Sequence, residues 1–274
     1  MNSTVVTFPN GHVTGRSDIV GVVPVGARHG LVVAETPFHP LDHTWPDQPA
    51  DLGTLGGLPV VDCVTGAWTE QEGLRLGPDI PVRRGAEGWQ WLVVHVTDTP
   101  LPVGETVDLV VDAGRRAALS AGHTACHLAA LALNAAVAGH WRKEATRDGL
   151  GHPDFDQAAI TSSRITPYGS VDVYRLGKSL RKKGFAGDEL DLDRVAADVN
   201  ERLTSWVAAG SPVRIDVPGP LLAARRTWHC ALPEGEVSIP CGGTHVTRTS
   251  DLGAVTVALS REEATLTMRT TATP

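Results

Sequence analysis

The strongest constraint on this fold is a change of sequence period near residue 112. From Ser3 to about Asp112, short runs rich in β-branched and apolar residues are separated by Gly and Pro: Val5 to Thr7, Ile19 to Val25, Gly30 to Ala34, Val60 to Val64, Trp89 to Val96 and Val107 to Val111. Such runs, bounded by turn residues, predict strands. Beyond Asp112-Ala-Gly114 the pattern becomes helical, with Ala and Leu at helix spacing from Arg115 to Gly139. The chain therefore reads as α+β: an amino-terminal antiparallel β-barrel domain over residues 1–112, then an α+β domain over 113–274. A second helix is expected from Leu192 to Ala208, with Leu192, Val195, Val199, Leu203 and Trp206 on one face and Asp191 as its N-cap. Strands around Val171–Tyr174, Val213–Val217, Arg226–Ala231, Val255–Leu259 and Ala264–Met268 complete an antiparallel sheet with helices on one face.

Composition narrows the function classes. The 274 residues are 42% hydrophobic, enough for one large or two ordinary cores, and the 29 glycines and 19 prolines are scattered as turn punctuation. Four cysteines are too few for a disulfide framework and fit metal or packing roles. The first residues lack a basic region followed by an apolar stretch, and the most apolar run, Leu128 to Val137, is shorter than a membrane span. A soluble, cytoplasmic protein with no membrane partner is expected. A net charge of −7 argues against non-specific coating of nucleic acid. An RNA partner would need a local patch, and Arg175, Lys178, Arg181, Lys182 and Lys183 are the best candidates, with Arg115/Arg116 and Arg225/Arg226 as smaller ones. Each of these also reads as ordinary solvated surface.

The chemistry lies in two motifs. His123 and His127, four apart within the long helix, project from one face and can grip one metal. Spacing alone is weak, because 11 histidines in this chain give about 0.4 such pairs by chance. His39 and His43 share the spacing, yet Pro40 lies between them in a loop. What raises the first pair is Cys241-Gly-Gly-Thr-His245, where a thiolate and an imidazole flank two glycines. Two ligands from a helix and two from a distant turn form a tetrahedral set suited to zinc. Cys63, Cys126 and Cys230 sit in apolar runs and read as packing, and His229 as a structural histidine.

The stretch Arg115-Arg-Ala-Ala-Leu-Ser-Ala-Gly-His123-Thr-Ala-Cys-His127-Leu, together with Cys241-Gly-Gly-Thr-His245-Val, resembles the signature motifs of the alanyl-tRNA editing family. That family comprises the editing domains of alanyl- and threonyl-tRNA synthetases and free-standing AlaX-type proteins. The resemblance covers most of residues 113–270, including Asn200, and extends to the barrel through Thr36-Pro-Phe38-His-Pro40 and Gln48-Pro-Ala-Asp51-Leu-Gly53. It implies zinc at His123, His127, Cys241 and His245, and substrate contacts from Thr36 and Gln48. It also implies a hydrolase for mischarged aminoacyl-tRNA, Ser-tRNA(Ala) being the default substrate. No synthetase catalytic core lies within these residues, so editing is expected to act in trans. Relatives carry a glycine-rich loop before the glutamine, whereas here Leu41-Asp-His-Thr-Trp-Pro-Asp47 fills that place. That departure leaves the amino acid open.

Four protein ligands normally mark a closed site, whereas hydrolysis needs an open position. His245 is therefore expected to be the weak or displaced ligand. No general base stands at a diagnostic spacing, and Asp47, Asp51, His43 and His95 all remain candidates. Two other readings stay open: an aminoacyl transferase that passes the aminoacyl group from tRNA to a small-molecule acceptor, and a zinc-stabilised RNA-binding module without chemistry. Oligomeric state is not legible.

Overall fold

A computed structural model describes residues 1–274, apart from the side chain of Glu189. The chain is mixed α+β, mostly sheet, and divides into two compact units. The first comprises residues 1–116, 215–227 and 240–244, and the second residues 117–214, 228–239 and 245–274.

The first unit is built on an eight-stranded antiparallel sheet. Its spatial order is Leu58–Val60, Gly53–Leu55, Thr106–Val111, Thr14–Val25, Arg28–Val33, Gln90–Thr97, Asp62–Thr69 and Gly73–Leu76. The sheet curls into a half-barrel, with Leu58–Val60 and Gly73–Leu76 as edges, so the antiparallel barrel expected from the strand pattern is met in part. Strand alternation alone does not distinguish an open sheet from a closed one, because both bury one face. Ile19, Leu31, Val33, Leu55, Trp91, Val93 and Leu109 fill the concave core. A short parallel pair, Val5–Val6 with Glu35–Thr36, adds to it. Residues 215–227 return to this unit, where the Val6 N–H donates to the Pro220 carbonyl at 2.8 Å and Leu222 joins the core.

In the second unit, α1 (Ala113–Ala136, beginning in the first unit) is followed by α2 (Phe155–Ala159), α3 (Lys178–Lys182) and α4 (Leu192–Ala208). A four-stranded antiparallel sheet runs Ile160–Thr166, Gly169–Arg175, Thr265–Thr273, Ala254–Glu262. A three-stranded sheet takes Val213–Asp216, Thr227–Leu232 and Gly235–Pro240. The Asp191 side chain caps α4, accepting from the Arg194 N–H at 3.1 Å, and the helix buries Val195, Val199, Leu203 and Trp206. Asn200 on α4 bonds the Val257 backbone in both directions, at 2.6 and 3.0 Å, which fastens the helix to the sheet. The family asparagine therefore has a structural task here. No helix is long and apolar enough to cross a membrane among the described residues.

Candidate functional site

Helix α1 carries His123 and His127 one turn apart on one face, its Ala-rich sequence favouring an unbroken helix there. Leu119 and Cys126 of the helix pack on Ile165. Gly122 is required by closeness: a Cβ there would lie 2.3 Å from the Thr166 carbonyl oxygen and 2.6 Å from that of Gly169. The helix thus rests on the backbone of the hairpin formed by Ile160–Thr166 and Gly169–Arg175.

The imidazoles of His123, His127 and His245 cluster, with ring centroids 4.8 Å apart for His123 and His127, 4.4 Å for His123 and His245, and 5.1 Å for His127 and His245. With Cys241 they form a group whose ligand atoms all lie within 4.8 Å of one another. Two further observations fit a metal there. His127 Nε2 is buried without a hydrogen-bond partner, a state that is costly unless a ligand takes the lone pair. Burial also pushes His123 down to about 4, and burial with the neighbouring His123 pushes His127 well below its ordinary range, so both rings are the neutral form that metals bind.

The Cys241 thiol is pushed up to about 12, mainly by burial, with Asp47 and Asp42 adding to the effect. In the metal-free protein this sulfur keeps its proton, and a dication would supply the charge a thiolate needs.

Thr124, which the sequence reading passed over, positions His245. Its hydroxyl donates to the Ser120 carbonyl at 2.9 Å and accepts from the Val246 N–H at 3.2 Å. At 3.1 Å from the same oxygen, His245 Nδ1 is then the donor, which puts the ring's lone pair on Nε2. Trp228 lies against His127, with ring centroids 5.1 Å apart. The signal for Thr124 was its place inside the His123–His127 motif.

Both substrate candidates are buried. Thr36 Oγ1 lies 2.8 Å from His95 Nε2 and accepts from the Phe38 N–H at 3.1 Å. His95 Nδ1 is 3.0 Å from the Leu31 carbonyl and must donate to it, so the Thr36 hydroxyl proton goes to His95 Nε2. Gln48 Nε2 donates to Thr244 Oγ1 at 2.9 Å, and its Oε1 accepts from the Thr244 N–H at 3.0 Å. The loop residue is thereby joined to the Cys241–His245 turn.

The four general-base candidates separate. His95 is held between Thr36 and Leu31, and burial lowers it to about 4. Asp51 is buried in an ion pair with Arg116 and accepts from the His39 N–H at 2.6 Å. His43 lies against Trp91, with Nε2 donating to the Val82 carbonyl at 3.3 Å. Asp47 is pushed up to about 6, mainly by burial with Asp42 adding, which is the range a base working near neutral pH needs.

Asp42 anchors the substituted loop. Asp42 accepts from the Thr44 and Trp45 N–H groups, at 2.7 and 3.1 Å, and pairs with Arg84 at 2.7 Å. Cys126 lies outside the metal group, with Sγ 3.5 Å from Asp172 Oδ1, and His229 is hydrogen-bonded to Ser238 at 2.8 Å.

Together these features define a mixed α+β protein with a His/Cys cluster able to hold a metal. Its relatives are alanine–tRNA ligases, and the match is consistent with an AlaX-like editing module. The chain is 28% identical to the alanine–tRNA ligase of Halorubrum lacusprofundi over 240 residues, 87% of this chain and 22% of that protein. Against the enzyme of Chloroflexus aurantiacus the identity is 30% over 217 residues, 68% of this chain and 21% of the relative. Against that of Ruegeria pomeroyi it is 26% over 160 residues, covering 56% and 17%. The chain thus spans about a fifth of the length of the curated relatives it matches. No family model matches it.

Proposed function

We propose that this protein hydrolyses the ester bond of a mischarged aminoacyl-tRNA, with seryl-tRNA(Ala) as the default substrate. The observation that carries the reading is the two-way hydrogen bonding of Gln48 with Thr244, which sets the Asp47-Gln48 segment against the turn bearing Cys241 and His245. An ester hydrolysis needs an activated water and stabilisation of a tetrahedral oxyanion. A zinc ion held by His123, His127, Cys241 and His245 would supply Lewis-acid stabilisation and lower the pKa of a bound water. His245 is the ligand expected to yield its position.

The chain's own residues supply the rest. Thr36 commits its hydroxyl proton to His95, so toward a substrate it offers an oxygen lone pair, suited to an ammonium or hydroxyl donor. Gln48 presents a carboxamide whose orientation Thr244 holds. Asp47 is the residue poised to take the proton of the attacking water.

A second reading is aminoacyl transfer to a small acceptor: the Leu41–Asp47 loop, held through Asp42, replaces a glycine-rich one, and a site that keeps water out lets another nucleophile compete. Incubation of the zinc-loaded protein with a panel of labelled aminoacyl-tRNAs tests both. Free amino acid released by the wild type, and lost on His123→Ala, supports hydrolysis. Label carried onto an added amine overturns it for transfer, and binding without turnover overturns both for a non-catalytic RNA-binding module.

A further inference from the structure

We propose that a basic platform in the second unit, formed by Arg142, Lys143, Lys178, Arg181 and Lys182, docks the phosphate backbone of the RNA substrate. The inference rests on the aminoacyl-tRNA reading above and assigns the surface that would hold the body of that substrate.

The charge is concentrated against the trend of the chain. Its net charge is −7, yet residues 175–183 hold Arg175, Lys178, Arg181, Lys182 and Lys183 without one acidic residue. The fold then brings a second basic segment beside them. The Arg142 N–H donates to the Gly184 carbonyl at 2.9 Å, the Ala186 N–H donates to the His140 carbonyl at 2.8 Å, and Trp141 bridges Phe185 between them. Gly184 sits at φ +107°, and a Cβ there would meet the Lys143 side chain at 2.7 Å, so the two segments pack backbone to side chain.

Between them opens a cavity of about 310 Å³ lined by Arg142, Lys143, Arg181, Phe185 and Asp188 among others. Arg142, Lys143, Lys178, Arg181 and Lys182 are all exposed.

Apart from Arg181, these cations have no acidic partner among the described residues. Asp188 is the single acidic lining residue among the described residues, shared at 3.8 Å between Arg181 and Arg261. Arg142, Lys178 and Lys182 make no ion pair among the described residues. Like charges gathered on one face repel and raise the cost of the folded state, and a polyanion relieves that cost. Cations around an aromatic-floored hollow fit a phosphodiester chain better than a single anion, since several phosphates are met at once. Arg142 follows six residues after α1, the helix that carries the histidines, and from His127 to the end of α1 at Ala136 is about 14 Å along the helix axis. The platform is therefore placed to grip nucleotides beyond the one that bears the ester.

The test compares wild type with the Arg142→Ala/Lys178→Ala/Lys182→Ala variant for binding of a full-length deacylated tRNA between about 50 and 200 mM KCl. The variant is expected to bind at least about tenfold more weakly, with a log–log salt slope shallower by about 2. Cleavage of a short aminoacyl-adenosine ester, which lacks the tRNA body, should be unchanged. The proposal is overturned if affinity and slope stay at wild-type values. It is also overturned if short-ester cleavage falls with tRNA binding, the mark of a merely structural role, or if the platform is needed for phosphatidylserine vesicles and not for tRNA. A wild type that binds tRNA through these residues but cleaves no ester would instead refute the hydrolase reading and leave the platform standing.

Discussion

Gln48 and Thr244, 196 residues apart in sequence, hold each other by two hydrogen bonds of opposite direction, the carboxamide donating to the hydroxyl and accepting from the backbone N–H. Both residues are nearly devoid of solvent contact, so neither bond is replaced by water when its partner is lost. Gln48→Ala is expected to destabilise the protein by about 1–3 kcal/mol, measured by urea unfolding, and to abolish ester cleavage. Thr244→Val, which deletes only the hydroxyl, should cost less, since the N–H to Oε1 bond survives.

Metal analysis of the purified protein should give one zinc per chain. His123→Ala and Cys241→Ala are each expected to lose it, whereas His245→Ala, at the ligand expected to yield, should retain a weakly held ion. A chelator should lower the Tm of the wild type, because an ion bound only to the native state stabilises it by mass action. Equal zinc content in wild type and Cys241→Ala would remove the four-ligand assignment.

Asp47 is expected to make opposite contributions to activity and stability. Its folded pKa of about 6 lies above its ordinary 3.8, so between these values the native state binds more protons than the unfolded chain and stability falls as pH rises. Asp47→Asn is expected to be the more stable protein above pH 6 in the metal-free form, by an amount on the order of 1–3 kcal/mol. Activity moves the other way: kcat/KM of the wild type should rise through about pH 6, and the variant should be about 10²–10⁴-fold slower with that limb flattened. A variant that keeps the limb would clear Asp47 of the base role.

The buried pair of Arg116 and Asp51 ties α1's first turn to the strand-rich unit, with Arg116 Nη2 also donating to the Pro37 carbonyl at 2.7 Å. Removing one partner strands a buried charge, so Arg116→Met and Asp51→Asn should each cost about 3–5 kcal/mol. The double variant should recover part of that loss, a coupling that a double-mutant cycle reads directly.

Gly122→Ala places a methyl group against the carbonyl oxygens of Thr166 and Gly169. A large drop in Tm is expected, with zinc content falling in step because the ligand His123 is the next residue. Gly139→Ala is the control: a Cβ there meets nothing within 4 Å.

Several of these features were legible in the sequence, for physical reasons. Helix α4 announced itself through one apolar stripe and Asp191, because amphipathic spacing and capping are local. The four candidate ligands were nameable since few residue types serve a soft metal. The strand Ile160–Thr166 escaped notice because Thr161, Ser162 and Arg164 face solvent and break the apolar alternation. Pairings that depend on distant chain segments had no local mark: Gln48 with Thr244, Thr124 with His245, and Arg142 beside the 175–183 stretch. Curvature of the sheet into an open half-barrel likewise depends on strand order, which alternation does not encode.

The contact at Gly122 divides the His/Cys cluster into a stiff half and a compliant half. A helix seated on bare peptide groups has no rotamer to turn and no side chain to compress, so His123 and His127 act as an anvil. The opposite half rides on Gly242 and Gly243 and on a loop held to them at Thr244. Changes of substrate in proteins of this design should therefore accumulate in the Leu41–Gln48 loop and the Cys241–His245 turn, leaving the helix untouched.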